Sequence, residues 1–125
     1  MQTQIRKDLF NAIVSRNDVY AVQNKNGTYR PVHTPFTQDV YIDGRETIGS
    51  YLLDKDNNVR CFVIDIDLNK KYVQKAAGDI SEYLPIIHKQ TKVINDVFRA
   101  EGLDTLIEFS GFKGYHIWGF LSEPI

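Results

Sequence analysis

The sequence predicts an α+β fold: a mixed sheet with a ferredoxin-like or RRM-like βαββ core, preceded by an N-terminal helix and hairpins. The main reason is the order of patterns in the second half of the chain, which reads strand, helix, strand, strand. A strand–helix–strand crossover places its two strands parallel, and the final hairpin adds an antiparallel neighbour. We therefore expect helices packed on a sheet whose strand ends can form a site.

Length and composition fit one globular domain of 125 residues, of which 42% are hydrophobic and 25% charged. No apolar run approaches the length of a membrane span, and the N-terminus lacks a signal-peptide core. The single cysteine, Cys61, excludes an internal disulfide and favours a cytoplasmic location. A net charge of −1 argues against binding nucleic acid by bulk positive charge, although a local basic groove stays open.

The N-terminal part of the chain predicts a helix and a hairpin. Apolar residues recur at helical spacing over residues 4–15. Residues 19–23 and 28–33 alternate on either side of NKNG, and an Asn-Gly turn between alternating segments predicts a β-hairpin. The segment FTQDVYIDG, residues 36–44, fits neither pattern and is left open.

Two further hairpins are predicted. Residues 48–54 and 59–67 flank the polar sequence KDNN, which indicates a turn. Residues 105–110 and 115–121 flank a short glycine-bearing loop. We expect this last hairpin to end the sheet with an unpaired edge near residues 115–121.

The segment between these strands, residues 72–101, is predicted to be largely helical. Pro85 divides it, because a proline inside a helix removes a hydrogen bond and clashes with the preceding turn. We expect a short helix up to about Tyr83, a longer one starting near Pro85, and a C-terminal stop at Gly102. A buried stripe is expected on the longer helix from Ile86, Ile87, Val93, Ile94, Val97 and Phe98.

Two carboxylates, Asp65 and Asp67, end an almost wholly apolar strand, FVIDID. The alternation of side chains puts both on one face, where like charges repel and burial adds a desolvation cost. A divalent metal, a basic partner or exposure to water would offset these costs. Such a pair suits Mg²⁺ or Mn²⁺, because hard cations prefer oxygen ligands. A strand end that simply faces solvent is the plainer alternative.

A second group of polar residues lies in SGFKGYHIW. Gly111 and Gly114 let the backbone turn tightly or approach a ligand closely, and Lys113 between them is a point charge suited to phosphate. Ser110 and His116 add donors at the ends of two strands, so these residues together would hold a triphosphate without a P-loop. The plainer alternative is a hairpin turn with a solvated lysine and a half-buried histidine.

In combination, the two motifs resemble the archaeo-eukaryotic primase superfamily. Its first motif is an apolar strand ending in Asp-x-Asp, here FVIDID, and its second is a Ser-x-x-x-x-x-His signature, here SGFKGYH. The resemblance is specific over residues 59–121 and looser over 18–58, where the chain is most similar to primase-polymerases of mobile-element conflict systems and CRISPR loci. It implies the N-terminal portion of a catalytic domain, with a helix-and-hairpin module over 1–58 and the core over 59–125.

The resemblance implies a role for each motif residue. Asp65 and Asp67 would bind the catalytic Mg²⁺ or Mn²⁺ ions, and His116 would join them in the catalytic set. The phosphates of the incoming nucleoside triphosphate would be held by the second motif: Ser110, Gly111, Lys113, Gly114 and His116. The reaction implied is template-directed nucleotidyl transfer to a 3′-hydroxyl on a DNA or RNA template-primer, as in DNA replication, with de novo priming and primer extension both left open.

The family also has a third motif, a further metal-binding acid on a later strand. No strand can follow the second motif before Ile125, so we expect the rest of the domain or a partner chain to supply that carboxylate. Glu108 shares a strand face with Ser110, but spacing alone does not make it the third ligand. We therefore expect no polymerase activity from these 125 residues by themselves.

Two other functions stay open from the sequence. A non-catalytic module would keep the nucleotide or nucleic-acid pocket and act through a partner. A metal-dependent nuclease, or another Asp-x-Asp phosphotransferase, is disfavoured, since a nuclease has no need of a triphosphate cradle.

Overall fold

The computed structural model describes residues 2–125, with side chains from residue 4 onward, and the chain forms two compact units. One unit comprises the residues up to 61 together with 122–125, and the other comprises residues 62–121. The model contains two three-stranded sheets together with helices, so the α+β class predicted from the sequence is confirmed. Over residues 2–125, no helix is long and apolar enough to cross a membrane.

The first unit contains a small antiparallel sheet in the order β2–β1–β3, with β1 in the middle. Its elements are α1 (Gln2–Ile13), β1 (Tyr20–Gln23), β2 (Tyr29–Val32), α2 (Gln38–Asp43) and β3 (Ile48–Gly49). The predicted N-terminal helix and first hairpin are therefore present. The segment left open by the sequence is α2, which begins because the Thr37 side chain accepts from the backbone of Val40 and ends at the left-handed Gly44.

Aromatic packing forms the centre of the first unit. The ring of Phe36 lies 5.2 Å from that of Phe10 and 5.1 Å from that of Tyr20, and Phe36 is buried. Cys61 is also buried, with its thiol 3.9 Å from the Ile13 carbonyl. Burial raises the pKa of the Cys61 thiol, so this cysteine is a packing residue and is poorly suited to act as a nucleophile.

The second hairpin predicted between residues 48–54 and 59–67 is wrong. The turn itself forms, because the Asp54 carboxylate accepts two backbone hydrogen bonds at 2.8 and 2.9 Å. However, β3 pairs with β1 in the first sheet, whereas the strand after the turn, β4 (Cys61–Asp67), belongs to the other sheet. A polar turn signal is local and does not determine which strands pair.

The second sheet has the order β4–β6–β5, so β6 is its central strand. The helices α3 (Lys70–Lys75) and α4 (Leu84–Ala100) connect β4 to the hairpin of β5 (Asp104–Phe109) and β6 (Gly114–Phe120). The unpaired edge predicted near residues 115–121 is therefore wrong, because the hairpin folds back and inserts β6 beside β4.

Strand directions in the second sheet follow from contacts along β6. It pairs antiparallel with β5. On its other side, Gly119 faces Phe62 and Gly114 faces Asp67, so β6 also runs antiparallel to β4. The strands β4 and β5 consequently point the same way, as a strand–helix–strand crossover requires.

The helical segment divides earlier than predicted. The helix α3 ends well before Tyr83, because Ala77 and Gly78 take positive φ angles of 52° and 86°. In α4, Pro85 lies in the first turn, where its missing N–H has no intrahelical partner to lose. The helix stops before Gly102, which has a φ of 85°, as predicted.

The buried stripe predicted on α4 is largely wrong. Ile87 is buried, and Phe98 is half-buried with its ring 5.9 Å from that of Phe62. The next buried position is Thr91, whose hydroxyl donates to the Ile87 carbonyl at 2.8 Å. With Ile87 and Thr91 one turn apart on the packed face, the helical period turns Ile86, Val93 and Val97 away from that face, where they are exposed. Ile94 continues the face of Ile87 and Thr91 but is still 38% exposed.

The two faces of the second sheet differ in character. On the helix side, Leu68 packs with Ile80 and Ile87 in a buried cluster that Ile66 and Tyr115 also contact. Alternation sends the intervening side chains to the opposite side, which we call the outer face. It carries Val63, Asp65, Asp67, Leu106, Glu108, His116 and Trp118.

Gly114 is predicted to tolerate no side chain. A β-carbon there would collide with the Ile66 carbonyl oxygen and with Asp67, and the backbone oxygen cannot swing away. Gly114→Ala should lower the free energy of unfolding by about 1–3 kcal/mol, the usual cost of overpacking, as measured by urea denaturation. Gly49→Ala is the matched control, because its β-carbon would meet Ala21 at an ordinary 3.4 Å. Equal losses in the two variants would contradict the prediction.

Candidate active site

The carboxylates of Asp65 and Asp67 lie on the outer face, where their side chains are 63% and 34% exposed. The chain just beyond them is anchored. Leu68 turns into the buried cluster on the helix side, and Asn69 caps α3 by accepting a backbone hydrogen bond at 3.0 Å. The acidic pair therefore ends a strand whose last residues are fixed in place.

The turn between β5 and β6 lies against the end of β4. The backbone N–H of Leu68 donates to the Lys113 carbonyl at 2.9 Å, and the missing side chain of Gly114 leaves room for the last residues of β4. Within the turn, the backbone N–H and the hydroxyl of Ser110 both donate to the Gly114 carbonyl at 2.9 Å. Gly111, at a φ of 105°, supplies the left-handed bend. The structure thus brings the two sequence motifs together, with the Ser110 hydroxyl engaged in closing the turn.

Each acid of β4 has a basic partner from the second motif. The Nζ of Lys113 lies 3.1 Å from Oδ2 of Asp67, and the Nε2 of His116 lies 3.7 Å from Oδ1 of Asp65. All four side chains are partly exposed, so these pairs contribute little to stability. Both a basic partner and access to water therefore offset the repulsion between the two carboxylates.

Glu108 completes a row of polar side chains across the three strands. It is the register partner of His116, and its Oε1 lies 2.6 Å from Nδ1 of that ring. The same oxygen accepts from Nε1 of Trp118 at 3.2 Å. Sequence reasoning assigned Glu108 no role, although a signal existed. Glu108 and His116 are equidistant from Phe112, and a tight hairpin centred there pairs such residues across the strands.

The donor set on this face suits a hard divalent cation. Asp65 and Asp67 present accessible carboxylate oxygens side by side, which are the ligands that Mg²⁺ and Mn²⁺ prefer. Across the part of the chain that the structure describes, no group of three His, Cys, Asp or Glu residues is arranged to hold a metal ion. A divalent cation held on this face would have Asp65 and Asp67 as two of its ligands, with water or phosphate oxygens among the others.

Most of the chain matches a known protein family. Residues 37–125, well over half of the chain, match the archaeo-eukaryotic primase domain of TOTE conflict systems. The matched region contains both motifs and every residue of the polar row. No curated relative matches the chain. The chain thus belongs to the archaeo-eukaryotic primase domain family of TOTE conflict systems.

Proposed function

We propose that this chain takes part in template-directed nucleotidyl transfer by binding a divalent metal and the triphosphate of an incoming nucleotide on its outer face. Family membership supports a primase-like nucleotidyltransferase function in general terms. The finer proposal rests on one observation, the seating of the SGFKGYH turn on the end of β4. It puts Lys113 3.1 Å from Asp67 and His116 3.7 Å from Asp65. Groups suited to a metal and groups suited to phosphate therefore alternate within a few ångströms.

In this proposal Asp65 and Asp67 hold Mg²⁺ or Mn²⁺. The bound metal would lower the pKa of the attacking 3′-hydroxyl and neutralise charge on the departing pyrophosphate. Lys113 holds a phosphate as a point charge, and His116 does so through Nε2, the ring nitrogen nearer Asp65. Gly111 and Gly114 let the backbone of the turn approach the phosphates, and Ser110 keeps the turn closed.

The remaining partners are also part of the proposal. A DNA or RNA template-primer would provide the 3′-hydroxyl. A third carboxylate would come from the rest of the catalytic domain or from a partner chain, with 1–58 acting as the N-terminal module and 59–125 as the core. A CRISPR association, a role in DNA replication and a cytoplasmic location stay predictions from the sequence.

A non-catalytic nucleotide-binding module is the second candidate, and the bonding of Glu108 favours it. Glu108 is the next carboxylate in the row after Asp65, but its Oε1 is bonded to His116 and Trp118 rather than directed to the aspartates. A primer-extension assay separates the two candidates. The assay needs the rest of the catalytic domain or the partner chain that supplies the third carboxylate, together with template-primer and Mn²⁺. Nucleotide binding without incorporation under those conditions would support the module and count against catalysis by this chain.

The two aspartates are predicted to be essential for metal-dependent nucleotide binding. Trp118 is the single tryptophan and lies on the outer face, so Mn²⁺ bound with a nucleoside triphosphate should quench its fluorescence saturably. Asp65→Asn/Asp67→Asn should abolish this quenching, because the amides remove the charge that holds the cation. Asp96→Asn/Asp104→Asn, which changes two exposed acids, is the matched control. Equal quenching in the wild type and the Asp65/Asp67 double variant would refute the metal site.

Lys113 is predicted to contribute to nucleotide affinity and little to stability. Lys113→Ala should raise the nucleotide Kd roughly tenfold, because it removes one charge-assisted contact to phosphate. Its thermal midpoint should stay close to that of the wild type, since the ion pair with Asp67 is partly exposed. Isothermal titration calorimetry and thermal unfolding measure the two quantities, with exposed Lys92→Ala as the control. A loss of affinity no larger than that of the control would exclude the proposed phosphate contact.

A further inference from the structure

One carboxylate oxygen of Glu108 contacts two neighbouring aromatic side chains of β6. Its Oε1 lies 2.6 Å from Nδ1 of His116 and 3.2 Å from Nε1 of Trp118. The register explains both contacts. Glu108 is directly opposite His116, and the two-residue period of the strand places Trp118 on the same face at the diagonal position. Glu108 on β5 therefore fixes the side chains of both His116 and Trp118 on β6.

The direction of these hydrogen bonds follows from the groups themselves. The indole N–H of Trp118 can only donate, so Oε1 of Glu108 acts as an acceptor. The same oxygen then receives the N–H of His116 at Nδ1. This leaves Nε2 as the nitrogen turned away from Glu108, on the side where Asp65 lies at 3.7 Å.

The contribution of Glu108 to the fold is small. Its side chain is 50% exposed and lies on the face opposite the buried cluster. A hydrogen bond between exposed groups adds little to the free energy of unfolding, because water replaces it when it is lost. What Glu108 determines is therefore the orientation of the imidazole and the nitrogen that carries its proton.

We propose that Glu108 is a positioning residue for His116, holding the imidazole with Nδ1–H toward β5 and Nε2 toward Asp65 and the bound triphosphate. The identity of the ligand, a bound triphosphate, rests on the proposed function. The orientation of the His116 ring rests only on the contacts of Glu108. In many proteins a carboxylate bonded to one nitrogen of a histidine fixes the tautomer and orientation of the ring in this way.

The first test measures the ring itself, by the imidazole ¹⁵N chemical shifts of the full chain at one fixed pH. The chain has three histidines, and the signals of His116 are those lost in His116→Asn. Glu108→Ala should move the Nδ1 shift of His116, whereas Glu108→Gln, which keeps an accepting oxygen, should move it less. Glu101→Gln, a change at an exposed glutamate outside the sheet, is the control. An Nδ1 shift in Glu108→Ala equal to that of the control would overturn the proposal.

The second test measures nucleotide affinity by calorimetry with Mn²⁺ and a nucleoside triphosphate, because the Trp118 signal is itself altered when Glu108 changes. Glu108→Ala should weaken binding about tenfold, the effect typical of losing a residue that orients a ligand-binding histidine, and Glu108→Gln should fall between. Unchanged affinity with a reoriented ring would overturn the positioning role. Absence of binding in the wild type would instead defeat the proposed function, and the ¹⁵N shifts would still decide the ring geometry.

Discussion

The position of β6 between β4 and β5 is the constraint on which the polar site depends. A strand paired on both sides can present one histidine to an acid on each neighbour, and His116 does so, facing Asp65 on one side and Glu108 on the other. The glycines of β6 make this position possible. Gly119 leaves room for the ring of Phe62, and Gly114 leaves room for the end of β4. With larger residues there, β6 could not come so close to β4 at either end.

In the second sheet, the buried apolar residues and the polar residues of the candidate site lie on opposite faces. The helix side holds the buried cluster around Leu68, together with the contact between Phe62 and Phe98. The outer face holds side chains that are partly exposed and joined by ion pairs of small energetic value. Because the apolar burial that stabilises this unit is on the other side, the polar residues of the outer face can be substituted with little effect on stability.

Local patterns in the sequence predicted what depends on local structure. The alternation of FVIDID placed Asp65 and Asp67 on one face, and Gly102 marked the end of the long helix. Predictions from these patterns were wrong where the structure of a segment depends on contacts with residues far away in the sequence. The KDNN turn forms between strands of different sheets, and the apolar residues of α4 outnumber the positions that the sheet can cover. The contacts of Glu108 with His116 and Trp118 were missed because they depend on the register of the β5–β6 hairpin.

The ion pair between Lys113 and Asp67 joins the proposed phosphate-binding group to one of the proposed metal ligands. Under the proposed function, a cation at Asp67 alone would displace the ammonium group and leave it without its counter-charge, and a phosphate at Lys113 alone would do the same to the carboxylate. With both ligands present, each side chain would keep a partner of opposite charge. Occupancy by metal and by nucleotide would then be thermodynamically linked, each ligand raising the affinity for the other by the same factor.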